Sequence, residues 1–578
     1  MSRRTRFGPR AVLLAALWLP LWAAERRVVI IDLDGIRGDT FEQTYLDGRL
    51  PNFRRILDSA LWFDNAAAVF PTVTMAGQAS LFTGVPPAMH GIIGNEWFDR
   101  AAGRTVDYLT LSGVSCVYGF TLLAGSECRG GLANGHLLSP TLYEAATAAG
   151  LNSTVVFNQY WKGATHVVLP GLSDVLSFVE NSSIDYEAFD RRMTDRALEA
   201  LQEHVLPAIL TVDFAGTDGL GHAFGIAAQP GYLERVIDYH LGRLLDALAG
   251  LDPEWRANTL FVVTADHGRT DAELHSEDLT LAADILAALK RAGFHSDRVR
   301  IAPNGGMAYV YLKGESWTQG PPEEEVRAAL RELAEDPLLR RVVESARSRD
   351  EKDSPRSGDI VVMLQPNHYF GNLGVGSHHG SIHEPDLSVP LILAQGGMPA
   401  GRRAQRVQST QIVRTVAEYL GFPVEAADPA LPLGGKKGEL FAPDSRCYNP
   451  YTMFQGIEHT GIASAEPERL AQWYVDHLGF RINYHSESSR GFFLRAPDGT
   501  MIEIILAEGE RAPQKMKDPG LRHLAIGVGD FDIAYTALKA KGVQFLSEPS
   551  TSKGNSVVFF TDCDGNILHL IHREAPLP

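Results

Sequence analysis

The chain has 578 residues, which is too many for one ordinary domain and points to two or three. Its 45% apolar and 21% charged residues are the balance of a folded globular protein, not of a disordered chain. A formal charge of -17 argues against a nucleic-acid-coating role, which needs a basic surface, but leaves room for a nucleotide in a metal-lined pocket.

At the start of the chain, Arg3, Arg4, Arg6 and Arg10 precede the apolar run AVLLAALWLPLW, and Ala23 and Ala24 follow. Residues 1–24 read as a secretion signal. The apolar run, at 12 residues, is short for a membrane span, so no stable span is expected; a retained N-terminal anchor is the alternative. A periplasmic or secreted protein is expected. In such an oxidising compartment Cys116 and Cys128 are expected to pair, while Cys447 and Cys563 stay unpaired. No CxxC pair suggests a cysteine-based zinc site.

From about residue 26 to 440, β-branched runs alternate with amphipathic helical stretches. RVVIIDL, STVVF, AILTVDF, TLFVVTA, MAYVYL and VPLILA read as strands. YLERVIDYHLGRLLDALAG and EEEVRAALRELAED read as helices by their 3.6-residue period. Alternation of this kind predicts an α/β fold, a mostly parallel sheet sandwiched by helices. The Pro- and Gly-rich stretch PALPLGGKKGELFAPDSRCYNP marks a boundary, giving domains at 25–445 and 446–578.

Metal-ligand residue types recur just after these strands or in Gly-rich turns. Asp34 closes RVVIIDLDG, Asp218 and His222 lie in TDGLGHAFG, Asp266 and His267 close TLFVVTADHG, and His379 lies in GSHHGS. In open α/β sheets functional groups gather at the carboxyl ends of strands. Carboxylates with imidazoles suit Zn²⁺ or another borderline divalent ion, and the set is large enough for two. Two such ions would hold a phosphoryl oxygen between them and stabilise the entering and leaving oxygens. Thr74, in AVFPTVTMAGQASLFTG, follows a strand-like run and opens a helix. Its hydroxyl is placed to attack phosphorus, with the helix N-terminus offering N–H groups to phosphate; Thr72 is its rival, and an N-cap role is the bland alternative.

These motifs together resemble the alkaline phosphatase superfamily over residues 26–420, its nucleotide pyrophosphatase/phosphodiesterase branch most closely. The carriers are IDLDG, FPTVTMAGQASLFTG with PPAMHGIIGN, TDGLGHAFG, TADHG and GSHHGS with VPLIL. The resemblance implies one zinc on Asp34, Thr74, Asp266 and His267 and another on Asp218, His222 and His379. It also implies Thr74 as the nucleophile, a covalent phosphothreonine, and a small-molecule phosphoester substrate. His379, immediately before Gly380 and Ser381, is preferred over His378 and His383. One departure concerns Gly77 and Gln78, which stand where that branch has an Asn-His pair; this weakens the nucleotide assignment and keeps phosphomonoesterase and phosphonate hydrolase readings open. Tyr160 and Trp161 are candidates to stack on a leaving group, or plain core aromatics. A non-catalytic periplasmic binding protein is the non-enzymatic alternative, and oligomeric state is left open.

The tail repeats itself. HTGIA at 459 is echoed by HLAIG at 523, and DGTMIEIIL at 498 by DGNILHLIH at 564, with helical stretches between. A small α+β domain of paired βαβββ units is predicted. HTGIAS, DHLGFRINY, PDGTMIEII and DCDGNILHLI resemble the vicinal-oxygen-chelate superfamily of glyoxalases, bleomycin-resistance proteins and extradiol dioxygenases. The resemblance implies a divalent metal on His459, Glu503, His523 and His569. The last position usually holds Glu, which makes glyoxalase activity doubtful.

Overall fold

The computed structural model describes residues 26–120, 128–171, 174, 185–271, 276–370, 376–433, 459–486, 490–496, 500–509, 523–528, 531–552 and 555–573. The expected signal, Cys447 and most of the expected boundary lie outside them. The chain falls into two compact units, the second beginning at Asn449. Among the described residues no helix is long and apolar enough to cross a membrane.

The first unit is built on an eight-stranded sheet. Its strands are β1 (Arg27–Leu33), β2 (Ala60–Ala67), β3 (Ser153–Val156), β4 (His166–Val168), β5 (Ile209–Phe214), β6 (Thr259–Thr264), β7 (Leu391–Ala394) and β8 (Gly401–Gln408), in the order β8-β2-β7-β6-β1-β5-β3-β4. Only β7 runs against its neighbours; the other pairings are parallel. The three central strands explain why the sequence reads as continuous apolar runs: every residue of β5 and β6 is buried, and all of β1 but Arg27. Each Val, Ile or Leu so buried contributes roughly 1.5–3 kcal/mol of hydrophobic free energy. Helices pack on the strands, among them Gln411–Leu420 against β1 and Tyr186–Glu203 against β3. β2 and β8, unread from the sequence, are strands of another kind: β2 carries an exposed Asp64, and β8 (GRRAQRVQ) is a charged edge strand.

MAYVYL does not join this sheet. It is the strand Met307–Leu312 of a separate four-stranded antiparallel sheet with Val299–Pro303, Val343–Ser348 and Ile360–Leu364. A fully buried run tells that both faces are covered but not in which sheet it lies, and this sheet has its own helices, Ser276–Arg291 and Glu323–Glu335, and its own core around Ile285, Leu289, Val310, Leu333 and Ile360.

The second unit holds the duplicated pattern. Strands His459–Ser464, Arg481–Ser486, Gly491–Arg495 and Met501–Leu506 form one sheet in the order first-fourth-third-second, with helix Pro467–Leu478. The second copy repeats this with His523–Gly527, helix Phe531–Ala540, Gln544–Phe545, Asn555–Thr561 and Ile567–Arg573. In each copy the first and last strands run parallel. Residues of both copies share one core that includes Leu470, Tyr474, Ile504, Leu538, Phe560 and Leu570.

Candidate active site

β1 lies between β5 and β6, parallel to both, so three chain segments leave the sheet side by side. Asp34 sits on the first, in a turn where Gly35 takes φ +66°; a Cβ on Gly35 would lie 2.6 Å from Asp218 Oδ1. Asp218 and His222 ride on the helix α1 (Gly216–Phe224) that follows β5, one turn apart, with His222 Nε2 3.4 Å from Asp218 Oδ2. Asp266 and His267 follow β6. His379 arrives on the chain returning from the second sheet. Thr74 is the first residue of helix α2 (Thr74–Thr83).

These residues converge. His267 Nε2 lies 3.2 Å from Thr74 Oγ1 and 3.5 Å from both Asp34 Oδ1 and Asp266 Oδ2. His379 Nε2 lies 3.1 Å from His222 Nε2 and 3.7 Å from Asp218 Oδ1. Three sets bring their ligand atoms within 4.8 Å of one another: Asp34, Asp266 and His267; Asp218, His267 and His379; His222, His378 and His379.

Neighbouring groups fix which nitrogens face the centre. His267 Nδ1 donates to Gly268 O (2.8 Å) and His379 Nδ1 to Thr72 O (2.9 Å), which leaves each Nε2 lone pair for the site. His378 differs: its Nδ1 stays within its own dipeptide, 2.8 Å from the His379 amide nitrogen and 3.1 Å from the His379 carbonyl oxygen. His383 turns toward Leu364 O and Glu344, outside the cluster. Thr72 is a tie rather than a reacting group: fully buried, its hydroxyl donates to Ser381 O (2.7 Å) and accepts from Gly380 N (3.1 Å).

The charges suit cations. Burial, then neighbouring carboxylates (Asp266 and Asp218 on Asp34; Asp32, Asp213 and Asp218 on Asp266), push the Asp34 and Asp266 carboxyls well up, and Asp34 Oδ1 and Asp266 Oδ2 are buried with no hydrogen-bond partner. Burial also pushes the Asp218 carboxyl up, but His222 and the Arg269 guanidinium outweigh it and hold the carboxyl well below the usual range. Burial keeps His267 neutral, its pKa lowered to about 4, and also holds His379 well below the usual histidine range. Orphaned carboxylate oxygens and neutral imidazole lone pairs aimed at one small volume are a donor set that fits divalent ions.

The departure at Gly77 and Gln78 has a packing cause. A Cβ on Gly77 would lie 2.4 Å from Asp266 O, so α2 presses directly on the turn that carries Asp266. Gln78 is fully buried and donates to Asp213 Oδ2 at 2.6 Å, behind the site. Tyr160 belongs to the core: it is 0% exposed and donates to Met75 O, bracing the start of α2.

Three residues escaped the sequence reading. Asn95 accepts the Met75 amide at 3.1 Å, one residue beyond Thr74, and its own amide is held by Asn304 Oδ1 at 2.6 Å. Tyr186 packs where a Cβ on Gly219 would sit; burial, then Asp218 and Asp34, push its phenol up to about 12. Arg269 is fully buried against Asp218. GIIGN and TADHGRTD, the motifs carrying Asn95 and Arg269, were the available signals. Cys116 and Cys128 form a disulfide, and Cys563 is half-buried and unpaired.

In the second unit His459 Nε2 lies 3.1 Å from Glu503 Oε2, and the His523 and His569 rings are 4.8 Å apart. The two pairs occupy equivalent places in the two copies. Among the described residues, the sets of three or more close ligand atoms all lie in the first unit. Thr460, Ile502, Leu524 and Leu570, the strand neighbours of these four, line an apolar cavity of about 380 Å³ instead.

A mixed sheet with a carboxylate–imidazole cluster at the ends of its central strands defines a phosphoester hydrolase of the alkaline phosphatase type. The chain belongs to the type I phosphodiesterase/nucleotide pyrophosphatase family, whose model matches residues 28–378. Residues 456–570 match the glyoxalase/bleomycin resistance protein/dioxygenase superfamily. The chain is 24% identical over 520 residues to alkaline phosphatase PafA of Elizabethkingia meningoseptica, covering 68% of this chain and 91% of that protein. It is 26% identical over 247 residues to a venom phosphodiesterase of Naja atra, covering 42% and 26%. The crystal structure of PafA superposes with a TM-score of 0.55 at 19% identity over 71% of this chain and 98% of that one. Murine ectonucleotide pyrophosphatase/phosphodiesterase 5, solved as an inactive threonine-to-alanine form with AMP, gives 0.50 at 16% identity over 72% and 98%.

Proposed function

We propose that the first unit is a secreted di-zinc phosphodiesterase or nucleotide pyrophosphatase that works through Thr74. The observation carrying this is the Thr74 hydroxyl at the head of α2, 3.2 Å from His267 Nε2 and beside unpartnered carboxylate oxygens. Asp34, Thr74, Asp266 and His267 would hold one zinc, and Asp218, His222 and His379 the other. Bound there, the ions supply positive charge that lowers the pKa of a nearby hydroxyl and offsets charge on phosphoryl oxygens. Thr74 gives its hydroxyl proton to solvent, and Oγ1 attacks phosphorus in line with the leaving oxygen. The P–O bond to the leaving group breaks and a Thr74 phosphoester remains. Water then attacks phosphorus, the Thr74 Oγ1–P bond breaks, and the hydroxyl is restored. Asn95, held through its Oδ1 by Met75 N–H, keeps its amide donor next to Thr74 for a non-bridging oxygen. The N-terminal end of α2 adds its dipole there.

A phosphomonoesterase is the second reading. It is favoured by coverage: the alkaline phosphatases PafA and PhoD of Zymomonas mobilis are matched over 91% and 88% of their lengths, the venom phosphodiesterase over 26%. The deciding assay is hydrolysis of bis-p-nitrophenyl phosphate beside p-nitrophenyl phosphate by the zinc-loaded full chain. Faster diester cleavage supports the first reading, faster monoester cleavage the second. Thr74→Ala is expected to abolish both with the fold intact; undiminished turnover would sink the assigned nucleophile. Residues 1–24 are read as the export signal and 446–578 as an appended chelate-type domain, with His459, Glu503, His523 and His569 as its ligand-type residues.

A further inference from the structure

The two halves of the ligand cluster do not carry the same charge. Asp34, Asp266 and His267 bring two carboxylates. Asp218, His222 and His379 bring one, and that one is already engaged. Arg269, fully buried, pairs its Nη2 with Asp218 Oδ1 while its Nη1 donates to Asp218 O (2.9 Å) and Ser377 Oγ (3.0 Å). Ser377 in turn donates to Gly221 O at 2.7 Å. The guanidinium fits only because residue 221 is glycine, for a Cβ there would lie 1.5 Å from Nη1. This placement is built by at least three elements, and it sits directly behind a ligand.

Resting on the two-zinc reading, we propose that Arg269 makes the Asp218–His222–His379 position the weaker of the two, so that the ions load in a fixed order. The Asp34–Asp266–His267 position presents net charge -2 with buried oxygens that lack partners. The other presents -1 from Asp218 and +1 from Arg269, which cancel. Arg269 also takes up Oδ1, leaving Oδ2 as the carboxylate oxygen turned to His222. Removing a hydrogen-bonding partner from a metal ligand ordinarily costs about 10–100-fold in affinity. A whole unit of positive charge a few ångströms from a divalent ion in a buried site opposes binding by more than that. The charge therefore decides the sign.

The test is zinc titration of the metal-free full chain against a competing fluorescent chelator. The wild type is expected to bind two zinc ions at the site with affinities at least about tenfold apart. His222→Ala, at a partly exposed position, is expected to remove the weaker step. Arg269→Gln, which keeps a donor but no charge, and Arg269→Met are expected to tighten the weaker step by about tenfold or more and leave the tighter one within about threefold. Loss of the tighter step in His222→Ala overturns the proposal without needing an Arg269 variant to fold. An unchanged or weakened second step in a folded Arg269 variant also overturns it. Two equal steps in the wild type defeat the proposal alone, whereas fewer than two zinc ions defeat the two-zinc reading and the proposal with it.

Discussion

Gly77→Ala tests whether close packing of α2 positions the nucleophile. The new methyl would stand 2.4 Å from Asp266 O, 3.0 Å from Asp266 C and 3.2 Å from Asp266 Cβ, about 0.6 Å inside the 3.0 Å floor that real Cβ contacts respect. The obstacle is backbone, so no side chain can swing aside. Two effects oppose each other. Alanine favours a helix interior over glycine by about 1 kcal/mol. Overpacking a full core costs typically 1–3 kcal/mol. The clash wins or draws, so thermal stability is expected to fall slightly or hold. Activity is expected to fall much further, because α2 carries Thr74 and the yielding backbone carries Asp266. A shift near 1 Å in a reacting group costs on the order of 100-fold. The assay is kcat and kcat/KM on both p-nitrophenyl esters, read beside zinc content and melting temperature. A variant that melts higher than wild type and turns over within about twofold of it would mean that the close approach plays no part in placing Thr74.

Thr72→Val removes the buried hydroxyl that joins Ser381 O and Gly380 N, and leaving those groups unpaired is expected to cost about 1–3 kcal/mol, measured by denaturant unfolding, with reduced turnover as the His379 segment loosens. Stripping the full chain with a chelator is expected to abolish hydrolysis and to lower the melting temperature, with both restored by added zinc; activity unaffected by chelation would dismiss the metal centre. His90 is buried, accepts Ile92 N on Nδ1 and contacts Ser80 through Nε2; burial first, then Arg356, lower its pKa to about 3. The unfolded chain takes up that proton below about pH 6.5 while the folded one refuses it. Stability is therefore expected to be full above pH 6.5 and to decline as pH falls toward 3, and His90→Gln is expected to flatten that decline in thermal melts.

Much of the cluster was legible because its residues are tied to strand ends. Asp34, Asp218, His222, Asp266 and His267 each follow a buried apolar run, and the sheet places those runs side by side. His379 was legible from GSHHGS only as one of two adjacent histidines, because what sets it apart is the Thr72 carbonyl that holds its Nδ1, a contact more than 300 residues away in the chain. At Gly77 the sequence shows only that a side chain is missing; that the glycine also admits the Asp266 carbonyl, 2.4 Å from where a Cβ would stand, appears only in the fold. Arg269 was legible only as a member of TADHGRTD, since the need for a glycine at 221 appears only when α1 and the His267 turn are brought together. In the fold, the edge strand β8 and the antiparallel placement of MAYVYL were hidden because charge on an edge and burial in a second sheet both break the link between pattern and partner.

The proposed ligand set spans 34 to 379 in the chain, and its two halves finish at different times. During synthesis, a chain that has emerged only past residue 270 already carries Asp34, Thr74, Asp266 and His267, but not His379 or the Gly380 and Ser381 groups that Thr72 ties down. The entire second sheet must be made before its return segment delivers them. The weaker position would thus be completed last by translation as well as by charge, and a fully loaded centre would mark a molecule in which the return segment has closed on the ends of the first sheet.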